Sequence, residues 1–215
     1  MKLNLFFISV VVGYMFWGTL SAMACTGITL KSQNGTAVVA RTIEWGGSNL
    51  NSQYVIVPRG YSEQSFTPDG QNGMVFIARY GYVGLAVEQK EFIAEGINEA
   101  GLSAGLFYFP HYGEYEDYDK KVADSSISDF QLVSWILGRC TTLEEVKEAV
   151  ANVHIINIDS RASTVHWRFA DQTGRQLVLE IIGKETHFYE NNLGVLTNSP
   201  GFEWHLTNLN NYVNL

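Results

Sequence analysis

A cysteine left at the head of a chain by a processing protease carries two reactive groups in one residue. Cys25 is placed for this. Ala22-x-Ala24 before it has the small-residue spacing of a signal-cleavage site, Leu5 to Leu20 is largely apolar, and Lys2 supplies a short basic start. Cleavage after Ala24 frees the thiol of Cys25 as a nucleophile and its own α-amine, with a reference pKa of about 7.7–8.0, as a base. The thiol attacks a carbonyl carbon while the amine takes its proton, directly or through one water. Two other readings use the same residues. Small residues before a cysteine at the end of a signal also describe a lipoprotein, in which Cys25 is acylated and tethers a binding domain, although Ala22 stands where such sites usually carry Leu. The cysteine can also be incidental.

Arg41 and Glu44 are the charged residues that local folding brings nearest to Cys25. Asn34-Gly35 is a strong hairpin signal, and Thr36 to Thr42 is β-branched and apolar. A two-residue turn there pairs Gln33 with Thr36 and sets Cys25 opposite Glu44. Arg41 then has the other parity, so a bulge is needed to bring both charges beside the thiol. An arginine favours thiolate over thiol, and a carboxylate holds a protonated amine. An Arg and a Glu at a strand end also describe a solvated ion pair.

The rest of the chain must position these groups. Gln53–Val57 reads as a strand and Pro58–Gly73 as a long loop. Met74–Tyr80 and Leu85–Val87 read as strands around a Gly81-Tyr82-Val83-Gly84 turn, and Phe92–Ile97 as a strand ending in the tight turn Asn98-Glu99-Ala100-Gly101. Leu102–Phe109 returns as a buried strand. The acidic, tyrosine-rich stretch His111–Asp124 reads as a solvated loop. A helix capped by Ser126 or Ser128 carries Phe130, Val133, Ile136 and Leu137 on one face. Thr142-x-x-Glu145 is a capping box for a second helix, with Leu143, Val146, Ala149, Val150 and Val153 on its core face. The period then returns to two over Thr164–Ala170, Gln176–Ile182, Thr186–Glu190 and Val195–Thr197, with a turn at Asp171–Gly174. Strands, a helix pair and more strands make a layered α+β domain.

Composition narrows the function. Apolar residues make up 46% and charged residues 17% of the chain, as in a domain with a sizeable core. The formal net charge is −8, and loss of Lys2 with the signal makes the remainder more acidic still, so nothing electrostatic draws the protein to nucleic acid or anionic lipid. The Leu5–Leu20 run is short for a bilayer span of about 20 residues, so stable membrane insertion after signal removal is not expected. The partner is a small molecule, and a homo-oligomer is left open. The five histidines, His111, His154, His166, His187 and His205, have no metal-ligand spacing and read as structural. No phosphate-cradling glycine loop is present, and no metal or organic cofactor is called for. Cys25 and Cys140 are expected free, because Cys140 falls at a helix end and a bridged Cys25 could not attack.

Four segments carry a family resemblance: Met23-Ala24-Cys25-Thr26-Gly27, Arg41-Thr42-Ile43-Glu44-Trp45, Glu95-Gly96-Ile97-Asn98-Glu99-Ala100-Gly101-Leu102 and Leu196-Thr197-Asn198-Ser199-Pro200. In this order they resemble the choloylglycine hydrolase family, which contains bile salt hydrolases and penicillin V acylases and belongs to the N-terminal-nucleophile hydrolases. The resemblance implies a four-layer αββα sandwich with Cys25 at the end of a central strand. It implies a linear-amide hydrolase in which Cys25 attacks, Asn98 and the Asn198 side chain hold the oxyanion, and Arg41 and Glu44 set the charge of thiol and amine. Glu44 stands where the family more often has Asp. Family members run longer, so residues 1–24 are expected to be a signal and 25–215 a hydrolase domain lacking a C-terminal part, including more of the second sheet, an outer helix and a further arginine. Bile salts, penicillin V and acyl homoserine lactones are the substrates the resemblance allows, with the Pro58–Gly73 and His111–Asp124 loops expected to select among them. The expected location is periplasmic or extracellular.

The nucleophile and tether readings differ at one atom, the nitrogen of Cys25. The intact mass of the exported protein should correspond to a chain that begins at Cys25 with a free amine. A chain that begins at Met1, or a diacylglyceryl mass on Cys25, would rule out the N-terminal mechanism.

Overall fold

The computed structural model describes residues 25–44, 49–159 and 162–213. The expected signal, 1–24, and Trp45 lie outside them.

Two antiparallel sheets lie face to face, with a helix pair on the far side of the longer one. The short sheet has the order β14 (Val195–Leu196), β1 (Cys25–Lys31), β2 (Ala37–Ile43). The long sheet runs β13 (Glu185–Glu190), β12 (Gln176–Ile182), β11 (Val165–Ala170), β8 (Ser103–Tyr108), β7 (Ile93–Asn98), β6 (Tyr82–Ala86), β3 (Gln53–Val57). Helices α1 (Leu132–Arg139) and α2 (Leu143–Val150) pack on its outer face. These three layers belong to an α+β sandwich of αββα type; Leu30 and Val38, on the outer face of the short sheet, are exposed. A third helix, α3 (Phe202–Leu209), follows β14 and buries Phe202 against the cluster around Cys25. Its short stripe was not read from the sequence.

Strand alternation sorts the chemistry of the long sheet. On β8, β11 and β12, the residues Leu106, Trp167, Phe169, Leu177 and Leu179 face the helices and join one apolar core. The alternate residues Phe107, His166, Arg168, Val178 and Glu180 are also buried, although three of them are ionisable. They occupy the layer between the sheets. Gly27 of β1 lies directly over this layer: a Cβ there would overlap Arg168 Nη1 and come within 2.7 Å of Phe107 Cζ.

The β1–β2 hairpin differs from its sequence reading by one residue. Cys25 pairs with Ile43, not Glu44. The turn has three residues, Gln33-Asn34-Gly35, with Gly35 N–H donating to Ser32 O at 3.0 Å, Ser32 N–H donating to Thr36 O at 2.9 Å, and Gly35 at φ 88°. A type I turn closed by a left-handed glycine is a standard hairpin solution, competing with the two-residue turn expected from Asn-Gly. The shift reverses parity along all of β2. Arg41 now sits opposite Gly27, on the same face as Cys25, with no bulge.

Other expectations changed locally. Gly84 lies inside β6, not in a turn, because a side chain there would press within 2.6 Å of Ile93 Cγ2 on the neighbouring strand. The Pro58–Gly73 stretch contains β4 (Ser62–Gln64), paired with β5 (Val75–Ile77). The His111–Asp124 loop is not wholly solvated: buried Tyr115 accepts from Val165 N–H at 2.7 Å and donates to Val165 O at 2.8 Å. The parallel pair β9 (Ser126–Ser128) and β10 (His154–Ile156) was not anticipated, and it leaves Ser128 as the cap, over a 3₁₀ turn that leads into α1. Thr142 caps α2 as expected, through its hydroxyl to Glu145 N–H at 3.1 Å, while Glu145 reaches back to Thr141 N–H at 2.6 Å. Both cysteines are free.

Gly27→Ala should destabilise the fold by about 3 kcal/mol or more, at the upper end for overpacking, because Arg168 and Phe107 are both buried and have no room to retreat. Thermal unfolding would show this directly. A melting temperature within a degree of the parent would mean that the sheets are less tightly apposed.

Candidate active site

The strand ends gather one pocket around Cys25. Cys25 opens β1 and Ile43 closes β2, while Ala94, Leu106, Tyr108 and Val165 lie at the corresponding end of β7, β8 and β11. Together with Arg41, Glu44, Leu50, Val87, Glu88, Phe130, Ala162 and Ser163 they line a cavity of about 490 Å³. Its wall is mainly apolar, with a few polar groups converging near the thiol, the usual make-up of a small-molecule site. A wider, more open groove of about 940 Å³ lies toward the other end of β7, and neither cysteine lines it. The Cys25 residue is only 8% exposed and packs with Phe107, Val178, Leu196 and Phe202.

Arg41 is fixed here by backbone. Its Nη1 donates to Ala94 O at 3.0 Å and to Leu106 O at 2.5 Å, and its guanidinium lies 4.1 Å from the Phe107 ring centroid. The same Nη1 is 3.5 Å from Glu95 Oε2, and Glu95 Oε1 accepts from Arg168 Nη2 at 3.0 Å. Glu95 thus bridges two arginines between the sheets. Burial raises the Glu95 carboxyl above its usual range, with Arg168 and Arg41 pulling it back down. Burial likewise lowers the Arg168 guanidinium, against the opposing pull of Glu95. Gly105 leaves space for this bridge, since a Cβ there would overlap Glu95 Oε2. Glu44 extends one residue past β2 and adds its exposed side chain to the pocket wall.

Asn198 follows β14, the strand paired on the other edge of β1. Gly27 pairs with Leu196 and Ile28 with Val195. That pairing ends at Leu196; Asn198 follows two residues on, in a bend, and is not among the residues that line the Cys25 pocket. Asn98 is not brought there, which corrects the oxyanion role expected for it. It ends β7 at the opposite end of the strand, four residues beyond Ala94, or about 13 Å by strand rise. Its side chain is also fully engaged. Nδ2 donates to Leu137 O at 2.9 Å and to Cys140 O at 2.8 Å, while Oδ1 accepts from Ala100 N–H at 3.1 Å and Leu102 N–H at 3.0 Å. Asn98 caps the carbonyl end of α1 and closes the β7–β8 turn.

The sequence reading missed Glu95, Arg168 and Tyr108. Strand parity held the signal for the first two, since one charged residue on each of two buried strands calls for a partner across the sheet. Tyr108 lines the Cys25 pocket, and its hydroxyl lies 2.9 Å from Ser163 Oγ; between Phe107 and Phe109 it read only as bulk. The loops at 58–73 and 111–124, expected to border the pocket, contribute none of its lining residues. Among the described residues no group of His, Cys, Asp or Glu is placed to hold a metal ion, and no helix is long and apolar enough to cross a membrane.

Comparison with known proteins agrees with this geometry. Residues 25–215 match the family of linear amide C–N hydrolases, choloylglycine hydrolase family. A bile salt hydrolase/transferase from Clostridium perfringens is 32% identical over 199 residues, covering 89% of this chain and 58% of that protein. The crystal structure of a mutant conjugated bile acid hydrolase from Clostridium perfringens superposes with a TM-score of 0.75 at 31% identity, covering 89% of this chain and 58% of that one. A penicillin V acylase from Agrobacterium tumefaciens gives a TM-score of 0.74 at 25% identity, covering 87% and 56%. The chain therefore spans somewhat over half the length of these relatives.

Replacing Asn98 by Ala should unfold rather than disarm the protein. Four backbone groups, three of them buried, lose their partner, a cost on the order of 3 kcal/mol and a fall in melting temperature of roughly 10 °C. Asn198→Ala should leave the melting temperature much closer to the parent. Equal melting temperatures for the Asn98→Ala variant and the parent would contradict the structural role.

Proposed function

The chain belongs to the choloylglycine hydrolase family of linear amide C–N hydrolases, and on that premise we propose that it is an exported amidase in which Cys25, freed as the N-terminal residue, cleaves an acyl group from a small amine. One observation carries this reading: Cys25, Arg41 and Glu44 line the same largely apolar pocket.

The chemistry follows from these positions. The acyl portion of the substrate occupies the apolar wall, and its carbonyl carbon meets Cys25 Sγ. The thiol proton passes to the α-amine of Cys25 as the S–C bond forms. The carbonyl oxygen takes the negative charge, and the Asn198 side-chain amide donates to it. Collapse breaks the C–N bond, and the leaving amine takes its proton from the α-ammonium. A water molecule, deprotonated by the same amine, then attacks the thioester and releases the carboxylic acid and the thiol. Glu44, at the open end of the hairpin, is placed to face the ammonium formed in the first step. Arg41 keeps a positive charge behind the thiol on a scaffold of backbone carbonyls. A tether role for Cys25 is disfavoured, since an acylated cysteine needs a solvent-facing side chain and this one packs against Phe107 and Leu196.

The relatives name two substrates to test, a conjugated bile salt and penicillin V. The processed chain should release free amine from at least one. Cys25→Ser should keep the fold and lower turnover by orders of magnitude, because a thiol is the better nucleophile near neutral pH. Cys140→Ser, behind the long sheet, should leave turnover largely unchanged. Equal loss from both changes would overturn the assignment of Cys25.

A further inference from the structure

The segment that carries Asn198 is held by a buried pair that the mechanism above does not use. His166 on β11 and Glu180 on β12 are adjacent across the ladder, and both side chains are fully buried between the sheets. His166 Nδ1 lies 2.9 Å from Glu180 Oε1, and His166 Nε2 lies 2.9 Å from Thr197 O. The imidazole stacks on Phe109 at 4.3 Å with its plane tilted by only 8°. Glu180 Oε1 also accepts from Phe202 N–H at 2.9 Å, tying the start of α3 to the same point. On the far side of Asn198, His205 Nε2 lies 3.1 Å from Asn198 O.

These contacts fix the protons. A carbonyl oxygen only accepts, so Nε2 of His166 must carry hydrogen to bond Thr197, and Nε2 of His205 must carry hydrogen to bond Asn198. The Nδ1–Oε1 contact is then a hydrogen bond only while one more proton lies between imidazole and carboxyl, whichever of the two holds it. The carbonyls of Thr197 and Asn198 belong to the two peptide planes that flank the Asn198 Cα. Holding both planes sets φ and ψ of Asn198, and so the direction in which its side chain leaves the backbone.

We propose that His166, backed by Glu180, and His205 form a two-point clamp on the Thr197 and Asn198 carbonyls, acting as positioning residues that aim the Asn198 amide at the oxyanion. This inference rests on the amidase reading above. It assigns these side chains no contact with substrate; their effect passes through Asn198.

Glu180→Gln is the informative variant. It keeps the shape, but an amide cannot accept from Phe202 N–H, bond Nδ1 and leave Nε2 of a neutral imidazole protonated through the same oxygen. In the full chain kcat should fall by about 10²-fold, the scale of a misplaced catalytic group, with KM changed far less, because the oxyanion exists only after attack. Combined with Asn198→Ala, the Glu180→Gln change should cost nothing further. Wild-type kcat in Glu180→Gln, or the same fold-loss in the Asn198→Ala background, would overturn the proposal. If Glu180→Gln does not fold, His205→Phe, at a half-buried site, replaces it in the same cycle with an expected loss of about tenfold; unchanged kcat there is equally adverse. A readout independent of turnover is the ¹⁵N imidazole spectrum of histidine-labelled protein, in which His166 should show a protonated, slowly exchanging Nε2. A bare Nε2 would overturn the clamp. Absence of turnover in the parent chain would instead sink the amidase reading, and the imidazole spectrum alone would then decide whether the clamp exists.

Discussion

The close approach of the short sheet to the long one at Gly27 is the constraint on which the site depends. No side chain fits between β1 at Gly27 and the pair Phe107 and Arg168, so the strand that Cys25 opens lies directly on the charged layer of the long sheet. That contact buries Cys25 among Phe107, Val178 and Leu196 and brings Arg41 within reach of the Ala94 and Leu106 carbonyls. It also encloses the Arg41–Glu95–Arg168 bridge. A buried ion network of this kind is a poor source of net stability, because desolvation offsets most of the attraction. Its physical effect here is geometric. Arg41 has one place to stand, and the hairpin end that carries Glu44 is held with it.

The two faces of the long sheet divide the work. The helix side is apolar without interruption through Leu106, Trp167, Phe169 and Leu179 and holds the fold together. The inner side carries Glu95, His166, Arg168 and Glu180, each bonded to a partner that orients something near the site. Asn98 belongs to the structural half, since its four hydrogen bonds tie α1 to the β7–β8 turn. Asn198 follows β14, and its backbone is held from the inner side, where Thr197 O meets His166 and Asn198 O meets His205. The two asparagines look alike in sequence, each at a turn after a short apolar strand, and the hydrogen bonds of Asn98 to α1 and the β7–β8 turn set it apart.

Much of the architecture was legible in the chain. Period-two runs located most strands of the long sheet, Thr142 and Glu145 located the start of α2, and the order of strands and helices gave the layered α+β plan. Local rules failed where two solutions lie close in energy. Asn34-Gly35 supports a two-residue or a three-residue turn, and the one-residue difference decides whether Arg41 or Glu44 shares a face with Cys25. Gly84 read as a turn because a strand glycine and a turn glycine look the same until the neighbour, Ile93, is known. Of the candidate site, Cys25, Arg41 and Glu44 were legible as a cluster that lines one pocket, while the role of Asn198 rests on the family resemblance alone. His166, Arg168 and Glu180 were not, because a charged residue on a buried strand declares its role only through a partner on another strand.

The central claim is that Cys25 forms a covalent bond to the acyl group, and the thioester itself is the most direct test. The processed chain, mixed with a conjugated bile salt or penicillin V and quenched in acid within the first turnover, should yield an N-terminal peptide heavier by the acyl group on Cys25 Sγ. That mass should disappear as the free acid accumulates. Release of the amine from a chain whose Cys25 peptide stays unmodified at every time point would contradict the account.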